Sequence, residues 1–380
     1  MVMKPGSRKS SNKNPPILSH EFIIQNHADI VSCVAMLFVV GLMVQATAPI
    51  ASLFIALHHN ISGNEPTRDT PRGSPFQYEA GWKDACAVFF YSLICIVMHA
   101  ILQEYCLDKI SKRLHLSKSK LSKFNESGQL VVFYLTSVVW GADAILREGF
   151  LGNISALWEG FPNHPMGFLM KLFFIVQLSY WIHVLPELYF QKIKKEEWSA
   201  RIQQALCGLT FVGAAYFFNL QRVALCLLVL HYFSEFVFHT IRLVEILDKD
   251  EKVTSACSFI TRLTFVVVHV ATITLSVLTF WYGLAQNEIP APYVLRIGSL
   301  IAVLSLQAFL MFTFITGQLA RAREQKNVMN AALNFKSKKE SKKDKSRKDK
   351  GKREESDLPE VDQNTNKNLR SRTAAQVKVK

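Results

Sequence analysis

Long uninterrupted apolar runs are the feature of this sequence that most limits how the chain can fold. Runs of 16–28 residues fill most of positions 30–320, although only 49% of the 380 residues are hydrophobic. A helix of about 20 apolar residues matches a hydrocarbon layer about 30 Å thick. The runs do not alternate between polar and apolar residues, so they do not fit the strands of a membrane barrel. They predict an all-α, polytopic membrane protein, because only helices or closed barrels satisfy every backbone group in lipid.

The apolar runs divide into about eight predicted transmembrane helices. The predicted spans are 30–57, 85–103, 130–146, 172–188, 203–218, 223–241, 263–284 and 294–319. A polar arm (1–29) precedes them and a polar, basic tail (326–380) follows them. A cleaved signal peptide is the alternative for the first run. That run starts after 29 polar residues and is longer than the apolar core of a signal peptide, so a transmembrane helix is predicted instead.

The distribution of Lys and Arg predicts the orientation of these helices. With a cytosolic N-terminus, eighteen Lys and Arg residues fall in the arm and the cytosolic loops, and five fall on the opposite side. Short cytosolic loops carry an excess of these residues. Both termini are therefore predicted to be cytosolic, since an even number of spans returns the chain to its starting side.

Three Asn-x-Ser sequons can be sorted by this topology. Asn60 and Asn153 fall in the predicted lumenal loops 58–84 and 147–171, whereas Asn125 falls in a basic cytosolic loop. An Asn-x-Ser sequon is a glycan acceptor in a surface loop of the secretory pathway. Asn60 and Asn153 are therefore predicted to carry glycans, and Asn125 is predicted to stay bare.

The basic tail is predicted to be disordered, because its few apolar groups cannot offset the entropy of the chain. Its segment 336–353 holds eleven Lys or Arg residues and three acidic residues. It is either a solvated tail or an electrostatic contact for anionic lipid or RNA. No aromatic residue lies between these lysines, so no specific nucleic-acid binding is predicted. The seven cysteines of the chain include no CxxC pair, which argues against a disulfide framework or a zinc site.

Polar residues interrupt two of the predicted spans. A stripe within about 80° of one face of the sixth span consists of His231, Glu235, His239 and Arg242. On the fourth span, His183 and Glu187 are also four residues apart. Charged groups at this depth are costly and mark functional or paired sites. Lys171 and Arg296 lie near the ends of spans, so they are expected to extend toward the headgroups.

Two interpretations of the stripe remain open. It forms either a seam of hydrogen bonds between helices or the polar floor of a cavity that binds lipid. No metal site is predicted, because His231 and His239 lie about 12 Å apart along one helix axis. The chain also lacks a Gly-rich phosphate loop, an HExxH motif and a GxSxG motif, so no cofactor is predicted.

Four stretches of the sequence resemble the translocating chain-associated membrane proteins. They are LSHEFIIQNHADIVSC (18–33), SKFNESGQL (122–130), PELYFQKIKKEE (186–197) and LLVLHYFSEFVFH (227–239). The resemblance covers most of residues 18–325. It implies an eight-helix protein of the endoplasmic reticulum membrane, with two helices in 30–121 and a six-helix TLC domain in 122–325. It also implies a non-enzymatic role beside the Sec translocon, with nascent signal sequences, transmembrane segments and membrane lipids as partners.

The TLC domain is shared with ceramide synthases, which this chain resembles around NLQRVALCLLVLH (219–231). In those enzymes the pattern continues into a His-Asp pair and a second aspartate, and an adjacent His-His pair lies one helix earlier. Here His231 matches the histidine and Glu235 stands at the second acidic position, but Tyr232 replaces the first aspartate, and Gln204 and Ala205 replace the His-His pair. Because acyl transfer needs a base within reach of the amine, we predict no catalytic site. Lipid binding or lipid modification by the TLC domain is the alternative function.

Overall fold

The computed structural model describes residues 19–61, 76–191, 193–247, 251–287 and 291–350. Most of these residues are helical, which confirms the predicted all-α membrane fold. The helices are α1 (His20–Gln25), α2 (His27–Gly41), α3 (Ala48–Ile55), α4 (Asp84–Ile101), α5 (Asp108–Leu114), α6 (Lys118–Arg147), α7 (Phe168–Phe190), α8 (Lys195–Phe217), α9 (Gln221–Leu247), α10 (Glu251–Ser276) and α11 (Tyr293–Lys350). The strands β1 (Gln77–Tyr78) and β2 (Met166–Gly167) pair antiparallel.

Among the described residues, six helical stretches are long and apolar enough to cross a membrane. They are Asp84–Leu114, Lys120–Arg147, Phe168–Phe190, Gln221–Leu247, Lys252–Ala285 and Tyr293–Glu324. Large apolar side chains such as Val139, Val270 and Phe312 are exposed on these helices. Extended apolar surfaces of this kind suit a membrane. The predicted number of eight spans is not confirmed, because the first and fifth predicted spans do not form helices of this kind in the described residues.

The first predicted span, 30–57, is divided into two helices. α2 ends at Gly41, and α3 begins at Ala48 with a proline in its first turn. Proline is tolerated in the first turn but would break an α-helix farther along, so Pro49 marks a new helix start. In the connection, the Thr47 hydroxyl donates to the carbonyl of Gly41 at 2.8 Å. The two helices have 15 and 8 residues, and neither alone is as long as a full span.

The fifth predicted span, 203–218, lies in the second half of α8. The first half of this helix is polar and begins with Lys195, Glu196 and Glu197. Acidic residues in the first turn favour a helix start through the helix dipole. The helix therefore starts eight residues earlier than the apolar run, and its polar half keeps it outside the set of six apolar helices.

The helices of the TLC region pack around a layer of large apolar side chains. α9 packs mainly against α6 and α10, whereas α7 packs against α4 and α8. Phe173, Phe174 and Ile175 on α7 are fully buried. At Gly208 of α8 a methyl group would overlap the indole ring of Trp181 on α7. The glycine therefore allows these two helices to approach closely.

A buried ion pair joins α4 and α7. The ammonium of Lys171 lies 2.9 Å from Asp84 Oδ1, and the side chain of Lys171 has no exposed surface. The same ammonium donates to the carbonyls of His58 and Glu79 at 2.6 and 2.7 Å. The Tyr216 hydroxyl of α8 donates to Asp84 Oδ2 at 2.8 Å. The expectation that Lys171 extends toward the headgroups is wrong, because three protein acceptors satisfy its three N–H groups inside the fold.

The last helix continues farther than the sequence predicts. The bundle unit ends at Gln307, and a second unit begins at Ala308. The backbone of α11 is helical through Lys350, so this helix extends into the range 326–380 of the predicted tail. Lys, a good helix former, is the commonest residue of 326–350, with nine of its 25 positions, so local propensity favours continuation of the helix. Residues 1–18 of the predicted arm and 351–380 of the predicted tail lie outside the described residues.

Candidate polar site within the helical bundle

The predicted polar stripe lies near the middle of α9. Glu235 Oε2 is 3.7 Å from His239 Nε2, one turn farther along the helix. The side chain of His239 is only 7% exposed, whereas that of Glu235 keeps 28% of its surface accessible. His231 is partly buried, and its ring lies 5.8 Å from that of the neighbouring Tyr232. The stripe therefore contains both enclosed and accessible polar groups.

Residues of the stripe and of a neighbouring helix lie close to Tyr134 of α6. Its ring stacks against that of His239, with centroids 5.8 Å apart. The side chain of Gln204, which is on α8, also lies near the Tyr134 hydroxyl. Three helices thus contribute polar groups to this point of the bundle.

A buried aromatic layer lies beside the stripe. Tyr232 is fully buried, and its hydroxyl donates to Gln177 Oε1 at 2.9 Å. The amide of Gln177 in turn donates to the Ser137 hydroxyl at 2.9 Å. The ring of Tyr232 also packs edge-on against Phe133, at 5.6 Å between centroids. This network occupies the position where the ceramide synthase pattern has an aspartate.

The other two predicted site residues, His183 and Glu187, belong to a second polar group near the end of α7. His183 Nδ1 contacts the carbonyl of Tyr180, and its ring lies 5.8 Å from that of His99 on α4. Glu187 Oε2 accepts from the amide of Gln191 at 2.8 Å. Glu187 Oε1 lies 3.8 Å from His27 Nε2, at the start of α2.

The structure does not bring the five predicted site residues into one cluster. The stacked rings of Phe133 and Tyr180 lie between the two groups, since Tyr180 contacts His183 and Phe133 contacts Tyr232. In the part of the chain that the structure describes, no ion pair or hydrogen bond joins His183 or Glu187 to the stripe. The same described residues contain no cluster of three or more His, Cys, Asp or Glu residues with the geometry of a metal site.

Arg242, the last member of the stripe, contacts a residue that the sequence did not indicate as its partner. Its guanidinium lies 3.2 Å from Glu126 Oε2 on α6. Glu126 Oε1 lies 3.2 Å from the guanidinium of Arg201 on α8. In the sequence Glu126 is only the middle residue of a sequon, and no local pattern pairs it with two arginines more than seventy residues away.

The three sequons lie in different surroundings. Asn60 is exposed and forms an isolated bridge with Tyr78 of β1. Asn153 is exposed at the start of a short helical turn, and its Oδ1 accepts from the Ser155 hydroxyl at 2.7 Å. Asn125 lies within α6, and its Oδ1 is buried. Asn60 and Asn153 are thus exposed, whereas the Oδ1 atom of Asn125 is not.

The residues aligned with the ceramide synthase His-His pair cannot act as bases. Gln204 is exposed and carries a neutral amide, and Ala205 is 1% exposed. With Tyr232 in the hydrogen-bonded aromatic layer, the enzyme pattern is kept here at His231 and, as a glutamate, at Glu235. General base catalysis requires a group that takes up a proton near neutral pH and lies within reach of the substrate. The amide and the methyl group do not take up a proton near neutral pH.

Comparison with known proteins agrees with this arrangement. Residues 123–316 match the TLC domain family. Translocating chain-associated membrane protein 2 of Homo sapiens is 44% identical over 329 residues, covering 84% of this chain and 86% of that protein. Its counterpart in Mus musculus is 44% identical over 322 residues, covering 82% of this chain and 85% of that protein.

A more distant similarity extends to enzymes. Ceramide synthase FUM18 of Gibberella moniliformis is 22% identical over 249 residues, covering 65% of this chain and 54% of that protein. The higher identity and the wider coverage of the human and mouse proteins decide the assignment. The chain belongs to the translocating chain-associated membrane protein family and carries its TLC domain in residues 123–316.

Proposed function

We propose that this protein is a non-enzymatic accessory of the Sec translocon in the endoplasmic reticulum membrane. It would assist the translocation or membrane insertion of nascent secretory and membrane proteins. The observation that carries the proposal is the 44% identity with human translocating chain-associated membrane protein 2, across 84% of the chain. Its partners would be the translocon, nascent signal sequences and transmembrane segments, and membrane lipids.

The polar stripe suggests how such an accessory acts. A nascent transmembrane segment that carries a polar or charged residue is costly to hold in lipid. Glu235 lies at mid-helix in α9 and is 28% accessible, and His231 lies one turn before it. These groups would offer hydrogen bonds to a polar residue of a passing segment, while the apolar outer faces of the helices keep the bundle in the membrane. No bond of a substrate needs to be made or broken for this role.

A reconstitution experiment tests the proposal. Proteoliposomes would contain the purified Sec translocon, with or without this chain, and a ribosome-bound nascent chain would be supplied. We expect the inserted fraction of segments with weakly apolar signal or transmembrane sequences to rise when the chain is present. Equal insertion with and without the chain, together with acyl transfer from acyl-CoA to a sphingoid base, would instead favour the lipid-modifying alternative.

The orientation of the chain leads to a prediction about glycans. In sealed microsomes we expect glycans at Asn60 and Asn153, because both are exposed in loops assigned to the lumen. Asn60→Gln and Asn153→Gln should each raise gel mobility by one glycosidase-sensitive step. Asn125→Gln is the matched control and should change nothing. A mobility shift for Asn125→Gln alone would show that the orientation is inverted.

The stripe leads to a prediction about polar segments. Glu235→Gln should change the free energy of unfolding by less than about 1 kcal/mol, because its contact with His239 is 3.7 Å long and Glu235 is partly accessible. It should lower the inserted fraction of a model segment with one central arginine and leave a fully apolar segment unaffected. Glu245→Gln on the same helix is the control. Loss of co-purifying lipid with unchanged insertion of both segments would contradict this role and make the stripe a lipid site.

A further inference from the structure

Two arginines and one glutamate form a cluster at adjacent ends of three helices. Glu126 near the start of α6 bridges Arg201 near the start of α8 and Arg242 near the end of α9, with both N–O distances at 3.2 Å. Their side chains are 28–30% exposed. The cluster is therefore neither sealed in the core nor free in solvent.

The cluster has more donors than its carboxylate uses. Each guanidinium carries five N–H donors in a planar fork, and each contacts Glu126 through one terminal nitrogen. A carboxylate shared by two guanidinium groups also leaves one positive charge uncompensated. Arg is well suited to phosphate, because its fork can donate two parallel hydrogen bonds to neighbouring oxygens.

The charges around the cluster keep it positive. Lys120 of α6 donates to the carbonyl of Ile246 at the end of α9, at 2.9 Å. Lys123 is exposed and lies one turn before Glu126. Glu197 lies 3.8 Å from Arg201 and is 51% exposed, and Glu245 lies one turn after Arg242 on α9. With Glu126 these make three carboxylates against two arginines and two lysines, so the cluster stays positive.

The depth of the cluster matches the headgroups of lipids. Glu126 lies six residues inside the apolar helix Lys120–Arg147, and Arg242 lies five residues before the end of Gln221–Leu247. At 1.5 Å per residue these positions are about 8–9 Å from the helix ends. Basic pockets between transmembrane helices at this level suit the headgroups of anionic lipids.

We propose that Arg201 and Arg242 bind the phosphate group of an anionic phospholipid, in competition with the Glu126 carboxylate. The phosphate would accept from the N–H groups of both arginines, and its acyl chains would lie along the apolar faces of the neighbouring helices. Glu126 occupies the site when no lipid is bound. This inference is independent of the proposed role in translocation.

Because Glu126 and the lipid phosphate compete for the arginines, a Glu126 variant should change lipid binding in the opposite direction from the two arginine variants. Full-length protein would be placed in nanodiscs of phosphatidylcholine with a minor share of phosphatidylserine, and tightly bound phosphatidylserine would be counted by native mass spectrometry. Arg201→Gln and Arg242→Gln should each weaken binding about tenfold, the effect of one lost charge-assisted hydrogen bond. Glu126→Gln should strengthen binding several-fold, because it removes the competing charge. Arg262→Gln is the control, since Arg262 donates to Ser258 on its own helix.

Each result decides the proposal. If the cluster only stabilises the packing of the three helices, Glu126→Gln and the two arginine variants will all leave lipid binding unchanged. The proposal is then wrong. A folding check by gel filtration accompanies each variant, and Glu126→Gln is expected to remain folded because glutamine keeps the size of the side chain. Displacement of phosphatidylserine by inorganic phosphate would assign the site to soluble phosphate and overturn the lipid assignment.

Discussion

Lys171→Met is expected to lower the free energy of unfolding by about 3–5 kcal/mol. The substitution leaves the carboxylate of Asp84, which is 3% exposed, without its cationic partner. It also leaves the carbonyls of His58 and Glu79 without the ammonium that donates hydrogen bonds to them. The expected readout is a much lower midpoint of heat unfolding in detergent micelles.

The double variant Lys171→Met with Asp84→Asn separates charge burial from simple loss of packing. Asparagine keeps an acceptor for the Tyr216 hydroxyl, and no unpaired charge remains in the fold. We therefore expect the double variant to be more stable than Lys171→Met alone. Lys83→Met is the control, because Lys83 lies beside Asp84 in the chain and contacts the exposed ring of Trp82. A double variant no more stable than Lys171→Met would contradict this account of the ion pair.

Tyr232→Asp is expected to destabilise the bundle by more than about 3 kcal/mol, because it removes a large buried ring and buries a carboxylate in its place. The ring is fully buried against Phe133 and Tyr134. Tyr232→Phe should cost only about 1 kcal/mol, since it loses one hydrogen bond, to Gln177. Heat unfolding of the two variants in the same detergent measures the difference.

The pair of Tyr232 variants also bears on function. The ceramide synthase pattern has an aspartate where this chain has Tyr232, so Tyr232→Asp restores one enzyme-like residue. We expect no acyl transfer from it, because Gln204 and Ala205 still replace the His-His pair. A stable Tyr232→Asp variant that transfers acyl groups would show that the site is a slightly altered enzyme site.

Local patterns predicted the class of fold and the face of the stripe. The length of an apolar run determines whether a helix can span lipid, and a repeat of 3.6 residues places Glu235 and His239 on one face. Both properties depend on residues close together in the chain. The break in the first predicted span also has a local signal, Pro49, which the length of the apolar run obscured.

The pairing of distant charges could not be read from the sequence. Lys171 and Asp84 come from different helices, as do Glu126 and its two arginines, and these contacts depend on how the helices pack. From its place near a span end, Lys171 was expected to extend outward. The separation of His183 and Glu187 from the stripe has the same origin, because Phe133 and Tyr180 come together only in the folded bundle.

Photocrosslinking of a stalled nascent chain tests the central proposal most directly. A ribosome-bound chain with a photoreactive group in its transmembrane segment would be presented to proteoliposomes that contain the Sec translocon and this protein. The proposed accessory role predicts a crosslink to this protein that disappears when the transmembrane segment is replaced by a polar sequence. Absence of that crosslink, together with acyl transfer that is lost in His231→Ala, would contradict the proposal and identify the protein as a lipid-modifying enzyme.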